Sequence, residues 1–260
     1  MRAIVCSELG PADRMSVREI PDPQPGPGEV VLDVRAAGLN FPDTLIIEGK
    51  YQFRPEPPFS PGGEAAGVIS AVGEGVDWEV GTPVVAVHTQ GAFAEKWLVP
   101  AAVTLPLPPG LTFEQAAGFT MTYGTSYYAL KQRANLQPGE TLLVLGAAGG
   151  VGSAAVELGK AMGATVVAAV STAEKAAFAE SLGADHTINY GEVGLREAIK
   201  EITGGTGADV VYDPVGGELS EPAFRSIAWN GRFLVIGFAA GDIPSVPLNL
   251  SLIHISEPTR

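Results

Sequence analysis

The sequence predicts an α/β protein in which a β-rich N-terminal domain, residues 1–111, precedes a doubly wound parallel-sheet domain, residues 112–249. Short apolar runs separated by Gly, Pro and Asp turns fill the first part, a pattern typical of strands. From residue 141 onward, apolar strands alternate with helix-like segments. Strands this apolar are buried on both faces, and helices cross between them, so the second sheet is predicted to be parallel.

In the N-terminal domain, each apolar run predicts one strand. A helix is excluded at residues 21–28, PDPQPGPG, because each Pro removes a backbone donor and fixes φ. The predicted strands are residues 3–6, 30–37, 67–72, 83–87, 93–99 and 103–107.

In the second domain, residues 112–133 have helical spacing, which Gly124 is expected to break into two helices. The strand and helix patterns then alternate. The predicted strands are residues 141–146, 164–170, 186–189, 208–213 and 232–237, and the predicted helices are 150–162, 173–182, 195–203 and 219–229.

Charge and composition limit which partners the protein is expected to bind and in which cellular compartment it is expected to work. The chain has 260 residues and a formal net charge of −13, which argues against a nucleic-acid or anionic-membrane partner. The start has no signal-peptide pattern, and Cys6, the single cysteine, excludes an internal disulfide and is expected to be buried. These observations favour the cytoplasm.

The last eleven residues, LSLIHISEPTR at 250–260, resemble the translation of a sequencing adapter. We expect them to be a non-native tail, and the native sequence to stop near Asn249 within a domain. An ordinary amphipathic strand followed by a loop is the alternative. If the chain is cut short there, the second sheet is expected to expose an unpaired edge.

A glycine-rich turn follows the first strand of the second domain and opens a helix. Its small residues would let a diphosphate reach the backbone N–H groups at the helix N-terminus. Ala147 stands where the dinucleotide fingerprint has its first glycine, and a purely structural turn is the alternative. The predicted diphosphate contacts are Ala148, Gly149, Gly150, Val151 and Gly152.

The end of the next strand indicates which dinucleotide binds. An NAD site has an acidic residue there, whereas this strand ends in Ser171-Thr172, with Lys175 close behind. A hydroxyl and an ammonium group attract the 2′-phosphate of NADPH, so Ser171 and Lys175 predict NADPH over NADH. Alternatively, Ser171 or Thr172 is a helix N-cap and Lys175 a surface charge.

Five segments, GLNFPDTL, PGGEAAGVI, LVLGAAGGVG, LGADHTINY and RFLVIGFAAG, resemble those of NADPH:quinone oxidoreductases in the medium-chain dehydrogenase/reductase superfamily. The resemblance implies a chaperonin-10-like (GroES-like) catalytic domain, a Rossmann domain, an active site in the cleft between them and a homodimer at full length. It implies hydride transfer from NADPH to a quinone or related conjugated carbonyl. An alkenal or enoyl reductase and an NADPH-binding structural protein remain alternatives.

Four residues are the catalytic candidates. Negative charge that develops on a substrate oxygen needs donors, and the Asn40 amide and the Thr125 hydroxyl occupy positions that, by the resemblance, face nicotinamide and substrate. Asp43 is given an orienting role, and Tyr51 is a candidate for closing the pocket or relaying a proton. The alternatives are that Asn40 caps a helix and that Thr125 bonds its own helix. Leu45 replaces a tyrosine of some relatives, which leaves the proton donor open.

The resemblance also implies that four further residues contact the cofactor. Tyr190 would approach the 2′-phosphate, although it could equally be a packing residue at a strand end. The nicotinamide side would be lined by Val215, Gly237 and Phe238.

Zinc is not expected. A catalytic zinc needs about three protein ligands, and Asn40 stands where the first ligand of the zinc-dependent relatives would lie. Gly63 replaces the histidine of the usual Gly-His-Glu, no cluster of four cysteines follows, and His88 and His186 are isolated.

Overall fold

The structure is a computed structural model that describes residues 1–247 and 250. It divides into two compact units, of which the first is Met1–Met121 and the second begins at Thr122. The division therefore falls about ten residues after the predicted domain boundary. Of the predicted non-native tail, residues 251–260 lie outside the described residues.

The first unit is a β domain. A five-stranded antiparallel sheet has the order β6-β3-β4-β5-β7, and β1 pairs with β2 in a separate ladder. Its elements are β1 (Arg2–Val5), β2 (Ser16–Glu19), β3 (Glu29–Gly38), α1 (Phe41–Ile47), β4 (Glu64–Val72), β5 (Pro83–Val87), β6 (Lys96–Pro100), β7 (Thr104–Pro106) and α2 (Phe113–Ala117).

The buried side chains of this unit explain which strands the sequence predicted. Val30, Leu32, Ile69 and Trp97 are among the side chains that form the core of the sheet. Strand β2 was not predicted because Ser16–Glu19 is polar and mostly exposed, so it has no apolar signal.

The second unit contains a five-stranded parallel sheet of order β10-β9-β8-β11-β12. The middle strand of this sheet comes first in the sequence. The two strands on one side follow it, and then the two strands on the other side. Its elements are α3 (Thr120–Tyr127, which spans the division), β8 (Thr141–Leu145), α4 (Gly150–Ala161), β9 (Thr165–Val170), α5 (Ala173–Ser181), β10 (His186–Asn189), α6 (Leu195–Ile202), β11 (Ala208–Asp213), α7 (Ser220–Phe224) and β12 (Ile227–Val235).

Alternate residues of these strands pack on opposite faces of the sheet. Leu142 and Val144 belong to one buried cluster, and Leu143 and Leu145 belong to another. Because both faces are covered, the strands are apolar throughout. The predicted α/β class, with its doubly wound parallel sheet, is confirmed.

Two predicted helices have different bounds in the structure. Gly124 does not break the first helix: the break is at Gly118, the C-cap of α2, and six π-helical residues, Tyr128–Arg133, follow α3. The helix predicted over 219–229 ends at Phe224. Its last residues begin β12 instead, because Ile227 pairs with Ala208 of β11.

Within the described part of the chain, every helix is too short or too polar to cross a bilayer. Strand β12 forms one end of the parallel sheet within residues 1–247.

Candidate cofactor and active site

The glycine turn joins β8 to α4 at the carboxyl end of the parallel sheet. Gly146 has φ +58°, and a Cβ on Gly152 would lie 2.2 Å from the Gly146 carbonyl oxygen. Any side chain at residue 152 would therefore force the turn apart. Gly149 and Gly150 are exposed, whereas Ala148 and Val151 are half-buried.

The N-terminus of α4 has the arrangement that a diphosphate requires. Gly149 is the N-cap, and it has no side chain that could accept hydrogen bonds from the first turn of the twelve-residue helix. The N–H groups of a first helical turn lack intrahelical partners and carry partial positive charge. The N–H groups of Gly150, Val151 and Gly152 therefore suit an anionic group, whereas the Gly149 N–H already donates to the Gly146 carbonyl at 2.9 Å.

Three predicted cofactor residues lie together at the next strand ends. Lys175 Nζ lies 3.0 Å from Ser171 Oγ, just beyond β9. The Tyr190 N–H donates to the Val170 carbonyl at 3.0 Å, which places Tyr190 beside the end of β9. The Thr172 hydroxyl accepts from the Lys175 N–H, so Thr172 is the N-cap of α5 and Ser171 is left for another partner.

The three predicted nicotinamide-side residues also lie close together. A Cβ built on Gly146 would be 2.8 Å from a Val215 methyl carbon, and one on Gly216 would be 2.9 Å from the Phe238 ring. The Gly237 N–H donates to the Asp213 carbonyl. These contacts bring the loops after β8, β11 and β12 to one edge of the sheet.

Asp213 shapes the loop that carries Val215. Its carboxylate is 2 % exposed and accepts from the N–H groups of Val215 and Gly216 at 2.8 and 2.9 Å. Its other oxygen accepts from the Ser220 hydroxyl at 2.6 Å. Asp213 was not predicted from the sequence, although an acid at the end of a buried strand, in YDPVGG, was an available signal.

Thr125 is exposed on α3, and its neighbour anchors that helix. The Ser126 hydroxyl donates to the Val151 carbonyl at 3.0 Å and lies 2.8 Å from the Tyr212 hydroxyl. Since the Ser126 proton goes to Val151, Tyr212 is the donor of the second bond. Burial raises the pKa of Tyr212 to about 12, so it holds its proton at neutral pH.

A pocket of about 710 Å³ adjoins Thr125 within the second unit. Its walls combine apolar residues with the cation Arg133. The Arg133 guanidinium lies 6.0 Å from the centre of the Tyr128 ring. The lining residues are Gly124, Thr125, Tyr128, Ala129, Arg133, Phe233, Leu234, Val235 and Ile236.

In the first unit, Asn40 is held by two acids. It is the N-cap of α1, and its backbone N–H donates to the Asp43 carboxylate at 2.8 Å. Its side-chain nitrogen donates to Glu64 Oε1 at 3.0 Å, and Glu64 Oε2 accepts from the Met121 N–H at 2.9 Å. Asn40 and Asp43 are therefore adjacent.

Both acids are buried. Desolvation raises the pKa of Asp43, partly opposed by its hydrogen bonds to the backbone of Asn40 and Gly63. Desolvation likewise raises the pKa of Glu64, opposed by the bonds from Asn40 and Met121. Glu64 was not selected from the sequence, and its position at the start of an apolar strand was the available signal.

Tyr51 packs at the edge of an apolar cluster. It is half-buried against Cys6, Ile46, Ile47 and Phe59, and its carbonyl accepts from Arg54. Cys6 itself is fully buried, as expected.

Among residues 1–247 and 250, no group of three or more His, Cys, Asp and Glu side chains could hold a metal ion. His88 and His186 are both exposed, and the His88 N–H donates to the Gly63 carbonyl.

Comparisons with known proteins give the family. The alcohol dehydrogenase GroES-like domain matches residues 26–109, and the zinc-binding dehydrogenase domain matches residues 150–259. A quinone oxidoreductase-like protein 2 homolog from Nematostella vectensis is 40% identical over 259 residues, which cover 97% of this chain and 69% of that protein. The chain belongs to the quinone oxidoreductase family of the medium-chain dehydrogenase/reductase superfamily.

Solved structures of the family agree with this assignment. Escherichia coli quinone oxidoreductase complexed with NADPH has a TM-score of 0.92 and 34% identity, and the match covers 100% of this chain and 81% of that one. The enoyl reductase CurK has a TM-score of 0.88 and 30% identity, with coverage of 98% and 79%. The predicted family and the oxidoreductase class are confirmed.

Proposed function

We propose that this protein transfers hydride from NADPH to a quinone or related conjugated carbonyl without a metal ion. The main support is the glycine turn followed by a hydroxyl and an ammonium group, Ser171 and Lys175, at 3.0 Å. In Escherichia coli, the related quinone oxidoreductase was crystallised with NADPH. NADPH would supply the hydride, and the remaining chemistry falls to residues of this chain.

The residues of the second unit would bind and orient the cofactor. The first turn of α4 would donate to the diphosphate through the backbone N–H groups of Gly150, Val151 and Gly152. Ser171, Lys175 and Tyr190 would contact the 2′-phosphate, which carries the charge that an acidic strand end would repel. Val215, Gly237 and Phe238 would pack against the nicotinamide side.

Two donors would stabilise negative charge on the substrate oxygen. The Asn40 amide has two N–H groups, one of which goes to Glu64, so the second is available to an oxyanion. The Thr125 hydroxyl is the other proposed donor. Asp43 would orient Asn40 through its backbone N–H, and Tyr51 would close the pocket or relay a proton.

Metal independence rests on the residues at the positions of the zinc ligands. Asn40 donates a hydrogen bond to Glu64 there, and Gly63 has no side chain to offer. We therefore expect activity to persist after dialysis against a strong chelator.

A substrate panel tests the proposal. NADPH oxidation would be followed by absorbance with quinones, alkenals and enoyl thioesters as acceptors. We expect quinone-dependent oxidation that is faster with NADPH than with NADH. NADPH binding without turnover on any acceptor would contradict the proposed activity and favour a binding role.

An enoyl or alkenal reductase is the second candidate, supported by the structural match to the enoyl reductase CurK. The same donors would stabilise the oxygen of an enolate formed when hydride reaches the carbon β to the carbonyl. Turnover of enoyl thioesters at a higher kcat/KM than quinones would favour it.

The cellular compartment and the oligomeric state of the protein remain predictions. We propose a cytoplasmic protein whose partner is a small molecule, and a homodimer for the full-length form. The net charge of −13 supports the expectation that nucleic acid is not a partner.

A further inference from the structure

Glu64 joins two parts of the first unit that are distant in sequence. It is 2 % exposed at the start of β4, and it ends up between Asn40 and Met121. Each carboxylate oxygen accepts one hydrogen bond, and both donors are neutral. A buried carboxylate without a paired cation is costly, so a purely structural acceptor could have been a neutral side chain.

The carboxylate determines the orientation of the Asn40 amide. A carboxylate only accepts, so Asn40 must turn its nitrogen toward Glu64 and its oxygen away. The backbone of Asn40 is fixed independently by Asp43 at 2.8 Å. With both ends held, the second N–H of the amide points in one direction.

The surrounding backbone leaves room for this bond. A Cβ on Gly38 would lie 2.5 Å from Glu64 Oε1 and 2.2 Å from the Ala117 carbonyl oxygen. Any larger residue at position 38 would displace the carboxylate from Asn40.

We infer that Glu64 is a positioning residue, which aims the second N–H of Asn40 at the substrate oxygen. This rests on the proposed function, in which Asn40 stabilises the oxyanion. Preorganised donors of this kind contribute roughly 10²–10³ in kcat, and a donor that is free to rotate contributes less.

Glu64→Gln is the test variant because glutamine has one acceptor oxygen for two donors. Either the Asn40 amide turns over or the Met121 N–H loses its partner. We expect kcat to fall by roughly 10-fold or more, while the Kd for NADPH stays within twofold, since the glycine turn belongs to the second unit. In an Asn40→Ala background, the same substitution should change kcat by less than twofold.

A second variant separates positioning from stability. In Asn40→Asp/Glu64→Gln, the introduced glutamine can donate to the introduced aspartate and still accept from Met121. The thermal unfolding midpoint should recover to near that of the wild type, whereas kcat stays low because an aspartate offers no N–H. Recovery of the midpoint would show that the bond between residues 40 and 64 has the direction described, and a midpoint that stays low would count against the inference.

Three results would overturn the inference. Wild-type kcat in Glu64→Gln would show that the carboxylate does not aim Asn40, while quinone turnover would still support the proposed function. An equal loss of kcat on adding Glu64→Gln to Asn40→Ala would show that Glu64 acts independently of Asn40. No turnover by the wild-type protein would refute the proposed function, and this inference with it.

Discussion

At the scale of single residues, we propose that selectivity for the cofactor depends on two side chains at the end of β9. Ser171 and Lys175 lie 3.0 Å apart, and the N-cap role has gone to Thr172. The sequence left open whether Ser171 or Thr172 capped α5. The structure assigns the cap to Thr172, so capping does not occupy the Ser171 hydroxyl, which we propose contacts a phosphate oxygen.

Lys175→Glu should weaken NADPH binding by roughly tenfold or more and leave NADH binding unchanged, because only NADPH carries the 2′-phosphate. Fluorescence titration with both cofactors measures this. Lys200→Glu is the matched control, since Lys200 is an exposed lysine on α6. Equal losses for the two cofactors would show that Lys175 does not sense the extra phosphate.

Gly152→Ala should abolish NADPH binding and lower the unfolding midpoint, because its Cβ would lie 2.2 Å from a backbone oxygen. Gly118→Ala is the control. It adds the same methyl group where a Cβ meets nothing within 4 Å, and φ is −104°. NADPH titration and thermal unfolding of both variants provide the comparison, and unchanged NADPH binding in Gly152→Ala would contradict the proposed role of the turn.

The residues of the candidate site differ in whether the sequence alone could reveal them. The glycine turn is local, so seven consecutive residues were enough to predict it. Glu64 and Asp213 act through long-range or loop contacts: Glu64 accepts from donors 24 and 57 residues away. No local spacing encodes such a contact, and the sequence therefore pointed to Asn40 without its partner.

At the scale of elements, the carboxyl ends of the parallel strands bring the proposed cofactor residues to one edge. The loops after β8, β9, β11 and β12 contribute Gly149, Ser171, Val215 and Phe238. This convergence follows from the parallel direction of the strands, which the alternation of strands and helices predicted. The helix ends were harder, because Ile227 and Ala228 are apolar residues at a boundary, and a short apolar run fits a helix or a buried strand equally well.

Asp213→Ala should lower the free energy of unfolding by about 2–3 kcal/mol, because the N–H groups of the loop and a buried hydroxyl lose their acceptor. Asp213→Asn should cost less than about 1.5 kcal/mol, since its oxygen can still accept from both N–H groups. Urea denaturation of the pair measures the difference. Equal losses would contradict the role assigned to the carboxylate.

At the scale of the whole molecule, two units carry different parts of the proposed chemistry. Asn40, Asp43 and Tyr51 belong to the first unit, and Thr125 belongs to the second with the proposed cofactor contacts. The sequence predicted this bipartite arrangement from the change of pattern near residue 112. It did not predict the division at Met121, because α3 reads as one helix across it.

Alkaline pH should destabilise the fold. Burial raises the pKa of Tyr212 to about 12, whereas an unfolded tyrosine titrates near 10. The unfolded chain therefore loses this proton first, and the contribution to stability is present below pH 10 and is lost as the pH rises toward 12. For Tyr212 alone the slope between pH 10 and pH 12 is at most about 1.4 kcal/mol per pH unit.

Urea unfolding at pH 9, 10 and 11 measures this slope. Tyr212→Phe is the comparison, and it should be less stable than the wild type at pH 9 by about 1 kcal/mol, through loss of the bond to Ser126. Its free energy of unfolding should fall less steeply above pH 10. Parallel slopes in the two proteins would show that another group causes the alkaline loss.

A crystal structure of the protein with NADPH tests the central claim most directly. The diphosphate should lie on the N–H groups of residues 150–152, and the 2′-phosphate should contact Ser171 and Lys175. A cofactor bound elsewhere, or a first turn of α4 that the protein's own side chains already fill, would contradict the account.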